Sequence, residues 1–155
     1  MQLTSILTPE RVFCNLPGVS KKRFLTTISE KIAKSAPQLS ADSIYTALLA
    51  REQLGSTGIG NGIAIPHCRV AECDAITGTL VKLEEGIDFD AVDSQQVDLL
   101  FILIVPAEET AEHLRVLSAL AHLFHQEAFC QALRAAATDQ ELYDTAIRFD
   151  QQSSQ

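Results

Sequence analysis

One histidine follows a glycine-rich segment near the middle of this 155-residue chain. The segment holds Gly55, Gly58, Gly60 and Gly62, and His67 comes shortly after it. Because glycine tolerates positive φ and close backbone approach, this spacing predicts a loop that presents backbone N–H groups to an anion or to a docked surface. A rigidly placed histidine beside such a loop suggests a nucleophile that accepts a phosphoryl group.

The residues just before His67 predict how it is positioned. Residues 63–65 form a short β-prone stretch, and Pro66 both ends this stretch and restricts Ile65 to an extended conformation. We therefore expect His67 to emerge at the rigid end of a strand.

The glycine spacing does not match the known nucleotide-binding motifs. Gly55 and Gly60 have the spacing of the two P-loop glycines, but Asn61 and Gly62 stand where lysine and a hydroxyl residue are required. Gly58 and Gly60 lack the third glycine of the dinucleotide fingerprint. The segment is therefore not expected to bind a nucleotide, and we predict no cofactor.

Two helices are predicted before the glycine-rich segment. The first follows Ser20, a suitable N-cap, and cannot continue through Pro37. The second follows Ser40 and contains the apolar Ile44, seven residues before Arg51. Seven residues make about 700° of rotation, which returns Arg51 to within roughly 20° of the direction of Ile44. Arg51 should therefore point inward, where its planar N–H donors can bind phosphoryl oxygens.

The second half of the chain predicts a sheet between helices. Residues 76–83 resemble a strand with mixed faces, and residues 97–105 are almost continuously apolar, as in a central strand covered on both sides. A helix over residues 108–124 places His113 in its early turns on the side that faces the core. Residues 138–141 match a capping box that opens a final helix. The predicted fold class is α/β, a single domain with a mixed β-sheet flanked by α-helices on both faces.

Length and composition limit the domain count and the partners. We predict one domain over residues 1–150 and a disordered tail over residues 151–155. The net charge of −8 disfavours nucleic acid as a partner. The N-terminus lacks a signal-like pattern, and the longest strongly apolar run, residues 99–105, is too short to span a bilayer. We expect a cytoplasmic protein without membrane insertion.

The segment over residues 55–67 resembles the active-site signature of a known family. Its sequence, Gly-Ser-Thr-Gly-Ile-Gly-Asn-Gly-Ile-Ala-Ile-Pro-His, is similar to that of the mannitol/fructose class of IIA proteins of the bacterial phosphoenolpyruvate-dependent phosphotransferase system. Other stretches are similar in the same order: residues 20–23, 51–52, 97–101, 106–107 and 113–114. The resemblance covers residues 3–148 and is strongest to free-standing nitrogen-regulatory IIA proteins. One residue departs from the pattern, because Cys68 stands where the family usually has glycine.

The resemblance implies a phosphohistidine carrier, which is a phosphotransferase component without small-molecule turnover of its own. His67 would accept a phosphoryl group on Nε2 from an HPr-type carrier protein, and regulatory target proteins would read the phosphorylation state. Arg51 would bind the phosphoryl oxygens. His113, at the position of the family's second active-site histidine, would donate a hydrogen bond to the phosphoryl group or orient His67. The further phosphoryl-binding candidates are the segment residues Ser56, Thr57, Gly58, Gly60, Asn61 and Gly62.

Three other functions are alternatives to this one. A stand-alone sugar-transport IIA component would pass the phosphoryl group to a IIB protein. A zinc protein could combine His67, Cys68 and Cys73 with His113, or with His122 and His125, but these residues form no recognised ligand motif. A pure interaction module would not need the intact histidine. The four cysteines include no Cys-x-x-Cys pair, so we expect reduced thiols and no disulfides. We also expect no metal, because His67 is assigned to phosphate and the other His and Cys residues form no recognised ligand set.

Overall fold

The computed structural model of the chain describes residues 2–108 and 110–153. The strands are β1 (Val12–Leu16), β2 (Gly58–Gly60), β3 (Ile63–Ala64), β4 (His67–Val70), β5 (Thr77–Ile87) and β6 (Val97–Pro106). The helices are α1 (Lys21–Ser35), α2 (Ala41–Leu54), α3 (Ala111–Phe124), α4 (Glu127–Arg134) and α5 (Asp139–Ser153). Two short 3₁₀ turns, Leu3–Ser5 and Pro9–Arg11, precede β1. None of the described helices is long and apolar enough to cross a membrane.

Hydroxyl side chains start most of the helices. Ser20 Oγ accepts the backbone N–H of Arg23 at 3.2 Å at the start of α1, and Ser40 Oγ accepts that of Ser43 at 3.0 Å at the start of α2. Each of these caps satisfies a backbone donor that has no partner inside the helix. The two predicted N-caps are therefore confirmed. The cap at Ser40 sets where α2 begins and hence where Arg51 lies along it.

Strand β6 is the centre of a six-stranded mixed sheet. The order is β1-β5-β6-β3-β2, and β4 pairs with β6 beyond the end of β3. Strand β5 is antiparallel to β6, whereas β3 and β4 are parallel to it. Strand β1 is parallel to β5, and β2 is antiparallel to β3. The mixed sheet is confirmed.

The two faces of β6 are both buried, each under a different set of helices. Leu99, Phe101 and Leu103 pack in a cluster with α3, α4 and α5, whereas Leu100 and Ile102 pack in a second cluster with α1 and α2. Full burial of such a side chain contributes roughly 1.5–3 kcal/mol relative to leaving it in water. This alternation explains why residues 97–105 show no polar face, and it confirms helices on both sides of the sheet.

Two elements and one helix cap differ from the predictions. The sequence patterns did not predict β1 or α4, which are short, and α4 has no side-chain N-cap bond. Thr138 Oγ1 accepts the N–H of Glu141 as expected, but the Glu141 carboxylate accepts from Ala137 N at 2.8 Å, one residue earlier than in a standard capping box.

The predicted disordered tail over residues 151–155 overlaps the last helix. Helix α5 continues to Ser153, so residues 151–153 are helical. Ser154 and Gln155 lie outside the described residues. The helix predicted from residue 108 begins at Ala111 with Thr110 as its N-cap, and Glu109 is likewise outside the described residues.

Candidate active site

The structure brings three of the predicted site residues to one cavity of about 340 Å³. Arg51 comes from the last turn of α2, His67 from the start of β4 and His113 from the first turn of α3. The remaining wall is mostly apolar: Leu54, Cys68, Arg69, Leu103, Val105, Leu114 and Leu117. Two imidazoles and one guanidinium thus line the same cavity.

His67 follows the end of β3, as expected, but it also begins a further strand, β4, which the sequence did not predict. Ala64 pairs with Leu100 and His67 pairs with Leu103, which is one continuous register along β6. The carbonyl of Pro66 accepts the N–H of Leu103 at 2.8 Å, so the proline interrupts the strand without shifting the ladder. The proline removes one N–H donor from this side of the ladder, but its carbonyl still accepts from β6. His67 is therefore fixed by backbone pairing immediately before it and after it.

The hydrogen bonds of His67 define its tautomer. Nδ1 lies 2.8 Å from the carbonyl oxygen of Ile65, which can only accept, so Nδ1 carries the proton of the neutral ring. Nε2 then carries a lone pair and no proton, and Arg51 Nε donates a hydrogen bond to this lone pair at 3.3 Å. The unprotonated nitrogen of the neutral His67 ring is therefore Nε2, and it lies next to a permanent positive charge.

Burial is the main reason that the pKa of His67 is lowered from its ordinary value of 6.5. The positive charge of Arg51 lowers this pKa as well, whereas the hydrogen bond to Ile65 and the negative charge of Glu52 raise it. At neutral pH the imidazole is therefore uncharged, which is the form that can attack phosphorus.

We expect an NMR titration of folded protein to place the midpoint of His67 below 6.5. An unfolded sample in urea should instead give a value of about 6.5. Because the folded pKa is the lower one, the contribution of His67 to stability is fully present above the unfolded pKa and is lost as the pH falls through the folded pKa. A folded midpoint at or above the unfolded one would contradict the burial and charge effects described for this ring.

Arg51 is oriented by its helix and by its own hydrogen bonds. The side chain is half-buried and points toward His67, as its seven-residue spacing from Ile44 predicts. Its Nη1 donates to the carbonyl oxygen of Gly55 at 2.8 Å, one of the carbonyls that has no partner inside α2. The guanidinium is therefore tied at one end to the helix terminus while Nε faces His67.

His113 enters the cavity from the opposite side. Thr110 Oγ1 caps α3 by accepting the N–H of His113 at 3.4 Å. The Nδ1 atom of His113 is buried without a hydrogen-bond partner. Among the described residues, none forms side-chain hydrogen bonds with both His67 and His113. Of its two predicted roles, direct orientation of His67 has no hydrogen bond to support it, whereas its place on the cavity wall suits contact with a bound group.

The glycine-rich segment forms a hairpin, which corrects the predicted anion-binding loop. Strands β2 and β3 are antiparallel, and Asn61 and Gly62 join them with φ of 59° and 81°. Two successive positive φ values are those of a type I′ turn, for which Asn-Gly is the preferred pair. The N–H of Asn61 donates to Asp93 Oδ2 at 2.9 Å, and the carbonyl of Gly62 accepts two N–H groups of β6. These backbone groups already have protein partners.

The remaining candidates of the segment also have structural partners. Ser56 Oγ donates to the carbonyl of Phe89 at 2.6 Å and accepts the N–H of Gly58 at 3.0 Å. Thr57 hydrogen-bonds through both its N–H and its hydroxyl to the carboxylate of Glu52. The cavity wall contains none of the six predicted segment residues, which are Ser56, Thr57, Gly58, Gly60, Asn61 and Gly62. The candidate site is therefore reduced to His67, Arg51 and His113.

The residues weighed as zinc ligands are not arranged as a metal site. Burial raises the pKa of the Cys68 thiol to about 12, and burial also raises that of Cys73. A protonated thiol is a poor ligand, because metals bind the thiolate. His122 and His125 are exposed on α3 and just beyond it. Within residues 2–108 and 110–153, no group of three or more His, Cys, Asp or Glu side chains could bind a metal ion.

Sequence reasoning missed a buried carboxylate beside the site. Glu52 follows Arg51 and is only 7% exposed. Its helical spacing gave a signal, since Glu52 lies four residues after Leu48 and eight after Ile44, on the apolar side of α2. A glutamate at such a position needs a partner, and the structure supplies Lys21, whose Nζ lies 3.1 Å from Glu52 Oε2.

Comparison with known proteins gives consistent matches over nearly the whole chain. The family model described as phosphoenolpyruvate-dependent sugar phosphotransferase system, EIIA 2, matches residues 5–147. A nitrogen regulatory protein of Pseudomonas aeruginosa is 44% identical over 147 residues, which are 95% of this chain and 96% of that protein.

One solved structure and a more distant relative extend these matches. The crystal structure of the nitrogen regulatory protein IIA-Ntr from Neisseria meningitidis superimposes with a TM-score of 0.85 at 38% identity, covering 94% of this chain and 97% of that one. A fructose-specific EIIA component of Haloferax volcanii is 33% identical over 141 residues, covering 90% of this chain and 92% of that protein.

Proposed function

We propose that this chain, which belongs to the EIIA 2 family of the phosphoenolpyruvate-dependent sugar phosphotransferase system, accepts a phosphoryl group on Nε2 of His67. The single observation that carries the proposal is the geometry of that nitrogen. Nε2 carries no proton because the ring proton is on Nδ1, and its lone pair accepts a hydrogen bond from Arg51 at the wall of an open cavity.

The proposed transfer exchanges one nitrogen–phosphorus bond for another. The Nε2 lone pair attacks the phosphorus of a phosphohistidine on the donor, the donor's nitrogen–phosphorus bond breaks, and its electron pair returns to the donor imidazole. The transition state is loose, with negative charge spread over three oxygens, so positioning and electrostatics supply most of the catalysis.

The surroundings of His67 can supply both the positioning and the electrostatic stabilisation that the proposed transfer needs. As Nε2 bonds to phosphorus, positive charge develops on the ring, and the Ile65 carbonyl accepting from Nδ1 stabilises this charge. Arg51 can release Nε2 and turn the same N–H donors toward the phosphoryl oxygens, which prefer the planar guanidinium fork. No cofactor is part of the proposed step.

The proposed donor is an HPr-type phosphocarrier protein, and the proposed output is regulatory. The regulatory role draws on the relatives that are named nitrogen regulatory proteins and that align along almost their full length. In this role, target proteins would distinguish the phosphorylated from the unphosphorylated form. The protein is thus a phosphotransferase component whose product is its own phosphohistidine.

A second candidate function is favoured by the fructose-specific relative. A stand-alone transport component would pass the phosphoryl group from His67 to a IIB protein. The two functions differ in a simple assay, in which the phosphorylated protein is mixed with a fructose-type or mannitol-type IIB protein. Rapid loss of the phosphoryl group to IIB would favour transport, and its retention would favour the regulatory role.

The proposal is tested by incubating the protein with phosphoenolpyruvate, enzyme I and an HPr-type carrier and then measuring its intact mass. We expect the mass of one added phosphoryl group, stable to base and lost in acid, as for a nitrogen–phosphorus bond. An unchanged mass in a mixture whose carrier is itself phosphorylated would contradict the proposal.

Substitutions at His113 test whether this residue assists through a hydrogen bond. Glutamine keeps an N–H donor of similar reach, whereas alanine keeps none, so we expect His113→Gln to retain much more phosphoryl transfer than His113→Ala. The measurement is the rate of phosphoryl acceptance, with the melting temperature as a check on folding. Equal losses of rate and of stability in both variants would assign His113 to packing, and no loss in either would remove it from the site.

A further inference from the structure

Glu52 is a buried carboxylate whose contacts join three parts of the chain. It is 7% exposed and lies in the last turn of α2. Its Oε2 accepts the Thr57 N–H at 3.2 Å and contacts Lys21 Nζ at 3.1 Å, and its Oε1 accepts the Thr57 hydroxyl. Glu52 thus ties α2 both to the first residue of α1 and to the segment that leads into β2.

Lys21, the cation that pairs with Glu52, is held by contacts of its own. Lys21 is 18% exposed in its side chain, its Nζ lies 4.5 Å from the centroid of the Phe89 ring, and it also contacts the exposed Asp90 at 3.4 Å. A buried charge is costly unless it is paired and hydrogen-bonded. The described contacts of the Glu52 carboxylate, with Lys21 Nζ and with the N–H and hydroxyl of Thr57, supply this pairing and these hydrogen bonds.

Two short chains of contacts lead from Glu52 to the two nitrogens of His67. Along the first, Thr57 accepts the N–H of Ile65 through its carbonyl at 3.1 Å, and the Ile65 carbonyl accepts from His67 Nδ1 at 2.8 Å. Along the second, Glu52 fixes the end of α2 at the residue next to Arg51, whose Nε faces His67 Nε2. Glu52 is therefore linked to both contacts of the His67 ring, through hydrogen bonds to the first and through the end of α2 to the second.

We infer that Glu52 is a positioning residue for phosphoryl transfer at His67, acting through Thr57 and Ile65 on Nδ1 and through the end of α2 on Arg51. The inference rests on the proposed function for its effect on transfer, but its effect on the tautomer does not need a donor. Glu52 touches neither imidazole nor the transferred group, so its role is to preorganise the residues that do.

The test compares substitutions that keep or remove these hydrogen bonds. Glutamine at position 52 can still accept from Thr57 N–H and donate to its hydroxyl, whereas alanine can do neither. We expect Glu52→Ala to slow phosphoryl acceptance by about 10- to 100-fold, since a displacement of about 1 Å can cost up to about 10²-fold in rate. Glu52→Gln should retain most of the rate, and Glu30→Ala, at an exposed glutamate of α1, is the matched control.

A second pair of variants tests the inference if Glu52→Ala does not fold. Thr57→Val keeps the shape of the side chain and removes the hydroxyl, whereas Thr57→Ser keeps the hydroxyl. We expect Thr57→Val to slow transfer and to shift the ¹⁵N resonances of the His67 ring away from those of a pure Nδ1–H tautomer. Thr57→Ser should restore both. A purely structural role of the hydroxyl would lower stability without changing the tautomer.

Glu52→Gln gives a third readout, because it removes the negative charge that raises the pKa of His67. The titration midpoint of His67 should therefore fall below that of the wild type. Wild-type rates and wild-type ¹⁵N shifts in both Thr57→Val and a folded Glu52→Ala would overturn the inference. A wild-type protein that accepts no phosphoryl group would defeat the proposed function instead, while the ¹⁵N spectra would still decide the role of Glu52.

Discussion

Replacing His67 with alanine is expected to abolish phosphoryl acceptance. The substitution removes Nε2, the unprotonated ring nitrogen that is the proposed acceptor, while Arg51 and His113 remain in place. Nucleophilic catalysis has no substitute for the missing atom, so the loss should be complete and not partial. Intact-mass measurement after incubation with phosphoenolpyruvate, enzyme I and an HPr-type carrier gives the result directly.

The matched control for this variant is His122→Ala, at an exposed histidine near the end of α3. This control should accept one phosphoryl group as the wild type does. If His67→Ala became fully phosphorylated, the assignment of the acceptor would be wrong. Mass spectrometry of peptides from that sample would then locate the histidine that carries the group.

Replacing Arg51 with alanine is expected to slow acceptance by about 10²–10³-fold, the usual cost of losing one preorganised donor to developing charge. The same change should raise the pKa of His67, because it removes a nearby positive charge that lowers this pKa. Rate measurements and an NMR titration of the imidazole together separate this role from a general loss of stability.

Two further variants sharpen the result at Arg51. Arg51→Lys should restore the rate only in part, because an ammonium group lacks the planar fork that matches phosphoryl oxygens. Arg23→Ala, at an exposed arginine of α1, is the matched control and should behave as the wild type. If Arg51→Ala accepts the phosphoryl group at the wild-type rate and the pKa of His67 is unchanged, Arg51 serves only to cap α2 through its bond to Gly55.

Several features could be predicted from sequence because they are determined by residues that lie within one or two helical turns of one another. The caps at Ser20 and Ser40 are local, and the rotation of a helix is regular enough to place Arg51 from its distance to Ile44. The central strand β6 was also predictable, because burial on both faces leaves no polar side in its sequence.

The shape of the glycine-rich segment could not be derived from its glycines alone. Glycine permits a positive φ in an open loop and in a tight hairpin equally well, so composition does not separate the two. The Asn61-Gly62 pair was the local signal for a type I′ hairpin. The partners that decide the outcome, Asp93 for Asn61 N–H and the start of β6 for the Gly62 carbonyl, lie more than thirty residues further along the chain.

The position of His67 likewise depends on backbone pairing with β6, a strand that is distant in sequence. Pro66 favours an extended backbone at Ile65, but whether a strand resumes after the proline depends on the neighbouring strand. Here the register with β6 continues from Ala64 to His67 without a shift. The burial of Glu52 could be read from the helical period, whereas its pairing with Lys21 and Thr57 is a tertiary contact that no local pattern contains.

The most direct test of the account is an NMR spectrum of ¹⁵N-labelled protein after phosphorylation by the reconstituted carrier system. We expect coupling between phosphorus and Nε2 of His67, with the ring proton retained on Nδ1 where the Ile65 carbonyl accepts it. Phosphorus attached to Nδ1 of His67, or to either nitrogen of His113, would contradict the account.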